Sequence, residues 1–205
     1  MCFSASASFA ASGGLTLIGA ACLHEAEKKE KFLALVPFLF AIQQALEGFQ
    51  WLSIGSGSAH PALGYGFLFF ALILWPIYIP SMMYALDKKR RKILRWLIGI
   101  GIGASAFLTA SVVFNPLRVE IVNCTLYYHL YTSYTTLIFI PYFIATCGAL
   151  LISSKRFFQL LGVTGAVSAA VAGLFFFETF ISVWCFFAGI ISSLIYLHLR
   201  STSAK

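Results

Sequence analysis

Charge is what this chain has least of. Only 10% of its 205 residues are Asp, Glu, Lys or Arg, against about 25% in a soluble globular domain. A chain that is 60% hydrophobic, with a mean hydropathy of +0.89, cannot solvate its surface in water on so little. That excludes a disordered chain and an ordinary cytosolic enzyme. Five cysteines do not make a secreted disulfide scaffold. Acid is scarcer than base, seven residues against fourteen, for a net charge of +7. The surplus does not point to nucleic acid, because the cations sit in short runs between apolar stretches and no soluble domain carries them.

Several chemistries are missing as well. Residues 180–199 contain no Lys, so no Schiff base can form in the last apolar run and a retinal pigment is excluded. No Asp falls within an apolar run and the four His are scattered, which disfavours the zinc-dependent seven-helix hydrolases. Neither a Gly-rich phosphate loop nor a Ser-His-Asp set is present.

What is present is a series of apolar runs. A membrane helix needs about 20 mostly apolar residues, and that ruler predicts seven spans, at about 4–23, 32–54, 63–86, 93–114, 131–153, 157–177 and 179–199. The expected fold is all-α, a seven-helix transmembrane bundle in a single domain. Thirteen of the fourteen cations fall in the joints after spans one, three and five and in the tail; Arg118 alone lies on the opposite side. Cations mark the cytoplasmic side. The N-terminus is therefore expected outside and the C-terminus in the cytoplasm, in a bacterial inner membrane. Ala20-Ala21-Cys22 has a faint likeness to a lipoprotein cleavage site, but no Lys or Arg precedes the run, so the first helix is read as uncleaved.

Small residues recur at Gly99-x-x-x-Gly103 and at Gly162, Ala166, Ala169, Ala170 and Gly173, a spacing that lets helix backbones approach closely. Packing within the chain is the expected use. Pro76 and Pro80 lie mid-span, with Pro37 and Pro141 in the second and fifth spans, and bend their helices either as fixed shape or as hinges. The run Asp87-Lys88-Lys89-Arg90-Arg91-Lys92 reads as a topology anchor that touches anionic lipid.

An ionisable group inside a span is a functional candidate by default. The second span reads Gln43-Gln44-Ala45-Leu46-Glu47-Gly48-Phe49-Gln50-Trp51. Gln43, Glu47 and Gln50 follow helical spacing, and Gln44, Glu47 and Trp51 form the adjoining stripe. Glu47 is expected about 10 Å below the outer end, with Gly48 leaving room for a helix or ligand. Two readings stand: a protonated Glu47 that only hydrogen-bonds across the bundle to Gln43 and Gln44, or a site for a ligand, ion or proton.

The outer side also gathers Cys2, His60, Glu120, Asn123, Cys124, His129, Glu178 and Cys185, beside Trp184 and a tyrosine cluster at 127, 128, 131 and 134. Interfacial Tyr and Trp need no function to explain them. The cysteines admit a disulfide between Cys2 and Cys124, a soft-metal site from Cys2, Cys124, Cys185 and His129, an N-terminal Cys nucleophile uncovered by loss of Met1, or inert thiols. Cys22 and Cys147 read as buried hydrophobes.

The opening Met1-Cys2-Phe3-Ser4-Ala5, together with Gln43-Gln44-x-x-Glu47-x-x-x-Trp51, resembles an uncharacterised bacterial family of small multi-spanning membrane proteins over the whole chain. The resemblance implies no activity; it marks Cys2, Gln44, Glu47 and Trp51 as residues to test together. The leading expectation is a non-enzymatic, outward-facing polar pocket for a small ligand or ion, serving transport or sensing. In it Glu47 carries charge, Gln43, Gln44 and Gln50 orient the ligand, and Trp51 and Trp184 form walls. The alternatives are a membrane oxidoreductase or metalloenzyme on the outer Cys/His set, and an accessory subunit whose Glu47 pairs with a partner membrane protein.

Overall fold

The structure is a computed structural model that describes residues 4–129, 135–177 and 179–203. Helix α1 (Ala5–Glu25) starts where the Ser4 hydroxyl accepts from the Ala7 amide at 3.2 Å, the usual way a helix N-terminus satisfies a free donor. A turn at Lys28–Glu30 and one at Lys31–Ala34 lead into α2 (Val36–Gly55), then come α3 (Pro61–Leu86) and α4 (Arg91–Val113). A hairpin of β1 (Val119–Val122) and β2 (Thr125–Tyr128) follows. Helix α5 covers 135–151, α6 is Arg156–Phe175 and α7 is Phe180–Ser203, interrupted at Phe187.

Among the described residues six helices are long and apolar enough to cross a membrane: α1, α2 and α4 with their lead-in turns, α3, α6 and α7. The seventh is short. Its apolar part, Leu137–Leu151, spans about 22 Å against a hydrocarbon core of about 30 Å, and residues 131–134 of the expected fifth span lie outside the described residues. The chain is also not purely helical. Asn123 and Cys124 both have positive φ, 49° and 57°, the geometry of a tight turn whose twist matches the strands on either side.

The chain divides into two compact units. The first comprises the chain up to Phe67, Arg118–Tyr128 and the chain from Ser168 on; the second comprises Leu68–Leu117 and His129–Val167.

In the first unit α1 and α2 are antiparallel and lock by reciprocal notches. Phe38 of α2 fills the space at Gly19, where an added Cβ would come within 2.7 Å of the ring, and Phe9 of α1 does the same at Gly48, at 2.9 Å. Phe9 also meets Phe49 edge-on at 5.0 Å, and Ser12 Oγ donates to the Ala41 carbonyl at 2.8 Å. Helix α1 runs unbroken through Ala20-Ala21-Cys22, with Cys22 fully buried. The C-terminal half of α7 packs on α1, and Tyr128 of the hairpin stacks on buried Phe67 at 4.6 Å. Pro37 lies in the first turn of α2, where its missing donor costs nothing, so it begins the helix and does not bend it.

In the second unit the prolines do shape the backbone. A wide π turn occupies Phe69–Leu74 just before Pro76, and the Trp75 amide reaches five residues back to the Phe70 carbonyl. Widening a turn clears the proline ring from the preceding backbone but frees carbonyls that have no water to accept from. Side chains take them: Tyr142 OH donates to Ala71 O at 2.7 Å, and Ser105 Oγ to Ile73 O at 3.3 Å. A second π turn, Ile144–Gly148, follows Pro141.

The small residues pack differently from expectation. Gly162 does approach Leu150 and Leu151 closely, but Gly99 and Gly103 are exposed, with nothing within 4 Å of an added Cβ. The glycine of α4 that makes a close approach is Gly101, where a Cβ would fall 1.9 Å from the Pro76 carbonyl oxygen. The bend in α3 projects that oxygen at α4, and only a residue without a side chain accommodates it.

Asp87 is more than the first letter of a basic run. At 2% exposure its carboxylate accepts from Lys89 N at 3.1 Å, Ser153 Oγ at 2.9 Å, Ser154 N at 2.6 Å and Ser154 Oγ at 2.9 Å. It thereby ties the α3–α4 joint to the α5–α6 joint. Burial alone would raise its pKa, yet these hydrogen bonds outweigh burial and hold it below the usual carboxylate value.

Two sets of substitutions test this packing by thermal unfolding of the purified chain. Asp87→Ala leaves three serine-borne donors facing nothing and is expected to cost about 1–3 kcal/mol at neutral pH. Because the folded pKa is the lower one, the carboxylate's contribution is complete above the unfolded value of about 3.9 and is lost as pH falls through the folded value. The gap between wild type and Asp87→Asn therefore closes in acid. Gly101→Ala is expected to cost about 1–3 kcal/mol or abolish folding, whereas Gly99→Ala and Gly103→Ala are neutral or slightly stabilising. Equal effects at all three glycines would refute this assignment of the contact.

Candidate functional site

The second helix is amphipathic in reverse. Ile42, Phe49 and Leu52 are exposed, while Gln43, Gln44, Glu47 and Gln50 are 0–1% exposed. A helix of a water-soluble protein turns its apolar stripe inward; α2 turns its polar one. The face it buries these residues against is supplied in part by the first turns of α7, within the same unit.

Ser182 Oγ donates a hydrogen bond to Glu47 Oε1, and Gln44 Nε2 donates to Glu47 Oε2 at 3.3 Å. One turn further along α7, Cys185 Sγ accepts from Gln43 Nε2 at 3.1 Å and hydrogen-bonds back to the Ile181 carbonyl at 3.2 Å. Three of the four expected polar side chains are thus joined to one another or to α7. The fourth is not. Both polar atoms of Gln50 are buried without a hydrogen-bond partner, as are Gln44 Oε1 and Trp51 Nε1 among the described residues. Native interiors pair the great majority of such atoms, and an orphaned amide costs about 1–3 kcal/mol.

The aromatic walls fare unevenly. Trp51 extends the stripe of Gln44 and Glu47 with its indole N–H turned inside. Trp184 is directed elsewhere: it donates to Ser168 Oγ of α6 at 3.1 Å and stacks on Phe180 at 5.6 Å. Gly48 admits a close neighbour as its residue type suggested, but that neighbour is Phe9 of α1. Gln43, Gln44, Glu47 and Gln50 are all closed off from the surface.

The outer cysteine set separates by environment. Cys124 is an exposed thiol at the hairpin tip, whereas Cys185 is buried in the polar cluster with its sulfur hydrogen-bonded on both sides. His129 follows the hairpin, and Cys2, with the Cys2–Cys124 disulfide expected of it, lies outside the described residues, as do Tyr131, Tyr134 and Glu178. Among the described residues no three His, Cys, Asp or Glu side chains are grouped to hold a metal. The oxygens and amides around Glu47 suit hydrogen bonding or a hard cation better than a soft metal.

Ser182 is the site residue that sequence reading missed. The signal was there: Ser182 and Cys185 are one turn apart, small and polar in an otherwise bulky run, and both face inward. Ser182 and Ser192 are both fully buried.

No curated protein and no solved structure matches the chain. A family model does match it, over residues 1–205, so that the whole chain belongs to the family of unknown function DUF6629.

Proposed function

We propose that this protein is a seven-helix bundle of a bacterial cytoplasmic membrane, with its N-terminus outside, and that the polar face of α2 binds a small polar ligand or ion for transport or sensing. The observation that carries the reading is Gln50: a fully buried amide with neither atom paired among the described residues, three residues from a buried carboxylate. In an interior without water such a group is retained at a cost. A visiting ligand that hydrogen-bonds to Gln50, Gln44 Oε1 and Trp51 Nε1 offsets that cost. Glu47, held by Ser182 and Gln44, provides the charge or the proton.

Entry requires α7 to part from α2, because the site is enclosed. The interruption of α7 at Phe187 lies just beyond Cys185 and divides the segment that bears Ser182 from the rest of the helix. The membrane oxidoreductase reading has less behind it, since the Cys185 thiol is engaged by Gln43 and its own helix. An accessory subunit with Glu47 reserved for a partner helix is also less favoured, since that carboxylate is bonded within the chain.

Thermal unfolding of purified protein against a panel of ammonium and alkylamines, monovalent and divalent cations and amino acids tests the reading. A ligand at a hundred times its Kd is expected to stabilise the protein by about 2.7 kcal/mol, and Glu47→Ala is expected to abolish the shift. Gln50→Leu separates binding from packing. It removes an unsatisfied amide and so leaves the ligand-free protein as stable or more stable, while the ligand shift disappears. A panel with no shift, or a shift unchanged in Glu47→Ala and Gln50→Leu, would sink the proposal.

A further inference from the structure

The α3–α4 joint holds six cations in eight positions, Lys88, Lys89, Arg90, Arg91, Lys92 and Arg95, and none of them forms an ion pair with a described residue. The one acid beside them, Asp87, is turned away, with its oxygens committed to Ser153, Ser154 and the Lys89 amide. The positive charge of this joint is therefore uncompensated by the described chain. Topology alone asks only that cations be present; it does not require them to be ordered. Two of them are. The Arg91 guanidinium lies over the Tyr84 ring at 5.0 Å while its Nε donates to the Tyr84 carbonyl at 3.2 Å, and Arg95 approaches the Tyr84 hydroxyl at 3.5 Å. Fixing two guanidinium groups on one tyrosine prepares them for an oxyanion.

The surface that runs on from these cations is apolar, open and continuous. Along α4, Lys92, Arg95, Trp96, Gly99, Gly103 and Phe107 fall on one face and are exposed, with Trp96 at 73%. Gly99 and Gly103 make a smooth strip beyond the tryptophan, where a Cβ added at either would meet no described atom of another element within 4 Å. The opposite face, Leu94, Leu97, Gly101, Ala104 and Leu108, is the one that packs. Two guanidinium groups and a lysine thus stand at the head of an apolar strip bordered by aromatic rings.

We infer that this face of α4 is a binding site for an anionic phospholipid, its headgroup phosphate held by Arg91, Lys92 and Arg95 and one acyl chain lying along Trp96, Gly99 and Gly103. Charge complementarity selects the headgroup, and the length of the apolar strip selects a lipid over a free anion. A second copy of the chain, seated on the two glycines, would bring six more cations against these six.

The test uses the full chain in phosphatidylcholine nanodiscs, with phosphatidylglycerol, further phosphatidylcholine or inorganic phosphate added, and reads retained lipid by native mass spectrometry and stability by thermal unfolding. Phosphatidylglycerol is expected to be retained and to raise the unfolding temperature, and inorganic phosphate to do neither. Joint substitution of Arg91, Lys92 and Arg95 by Gln is expected to weaken phosphatidylglycerol binding about tenfold or more. Removing the same number of charges at Lys28, Lys29 and Lys31 is expected to leave it unchanged. Gly99→Leu keeps every charge and blocks the strip; it is expected to lower retention without lowering the stability of the lipid-free protein. Equal retention of the two lipids, equal losses in the two charge variants, stabilisation by inorganic phosphate alone, or full binding by Gly99→Leu would each overturn the assignment. So would a dimer that Gly99→Leu disperses while phosphatidylglycerol binding stays the same.

Discussion

The hydrogen bond from Ser182 to Glu47 is the interaction on which the first unit depends. A carboxyl group and its neighbouring amides are held away from water, and in that setting each polar atom must find a partner or carry a penalty of a few kcal/mol. Helix α7 meets the requirement with two small polar side chains one turn apart, Ser182 and Cys185, which face Glu47 and Gln43. Their size matters as much as their chemistry. A larger residue at either place would hold α7 too far from α2 for the contact to form.

Closure of the site from the other side follows from the same need for close approach. Gly48 sits beside Glu47, and Phe9 occupies the space its missing side chain leaves. Gly19 and Phe38 repeat the arrangement lower down with the roles of the two helices exchanged. The polar face of α2 is therefore enclosed by hydrogen bonds to α7, and the adjoining seam with α1 is closed by aromatic packing. The second unit solves a different form of the same problem. There the unsatisfied groups are backbone carbonyls released by the π turn before Pro76, and Tyr142 and Ser105 reach in to bond them. Two side-chain hydrogen bonds and the Gly101 contact hold this bend in α3.

How much of this could be read from the sequence depended on whether the signal was periodic. The polar face of α2 was plain, because glutamine and glutamate at positions 43, 44, 47 and 50 stand out against lipid-like neighbours and helical spacing does the rest. Six helices long and apolar enough to cross a membrane were legible by length and composition in the same way. Where a residue's role came from a distant partner, reading failed. Nothing local to Asp87 reveals Ser153 and Ser154, and nothing in Gly99-x-x-x-Gly103 reveals that Gly101, between them, is the residue opposite the Pro76 carbonyl. The hairpin escaped because four-residue strands give too short an alternation to register beside apolar runs of twenty residues. Its Asn123-Cys124 turn was the one local clue.

The enclosed site and its orphaned amide pull in opposite directions, and the tension says where motion is needed. Gln43, Gln44 and Glu47 each have a hydrogen bond that favours the closed state. Gln50 and the Trp51 indole, one turn farther along α2, have none among the described residues. In the proposed role, separation of the helices at that level would break none of these hydrogen bonds and would expose two donors and an acceptor before the Ser182–Glu47 bond has to break. In the proposed binding role, a ligand meeting Gln50 and Trp51 first would compensate the groups closure leaves unsatisfied and only then compete with Ser182 for the carboxylate. The order of groups along α2, unsatisfied amide first and bonded carboxylate second, is what the proposed binding role would use.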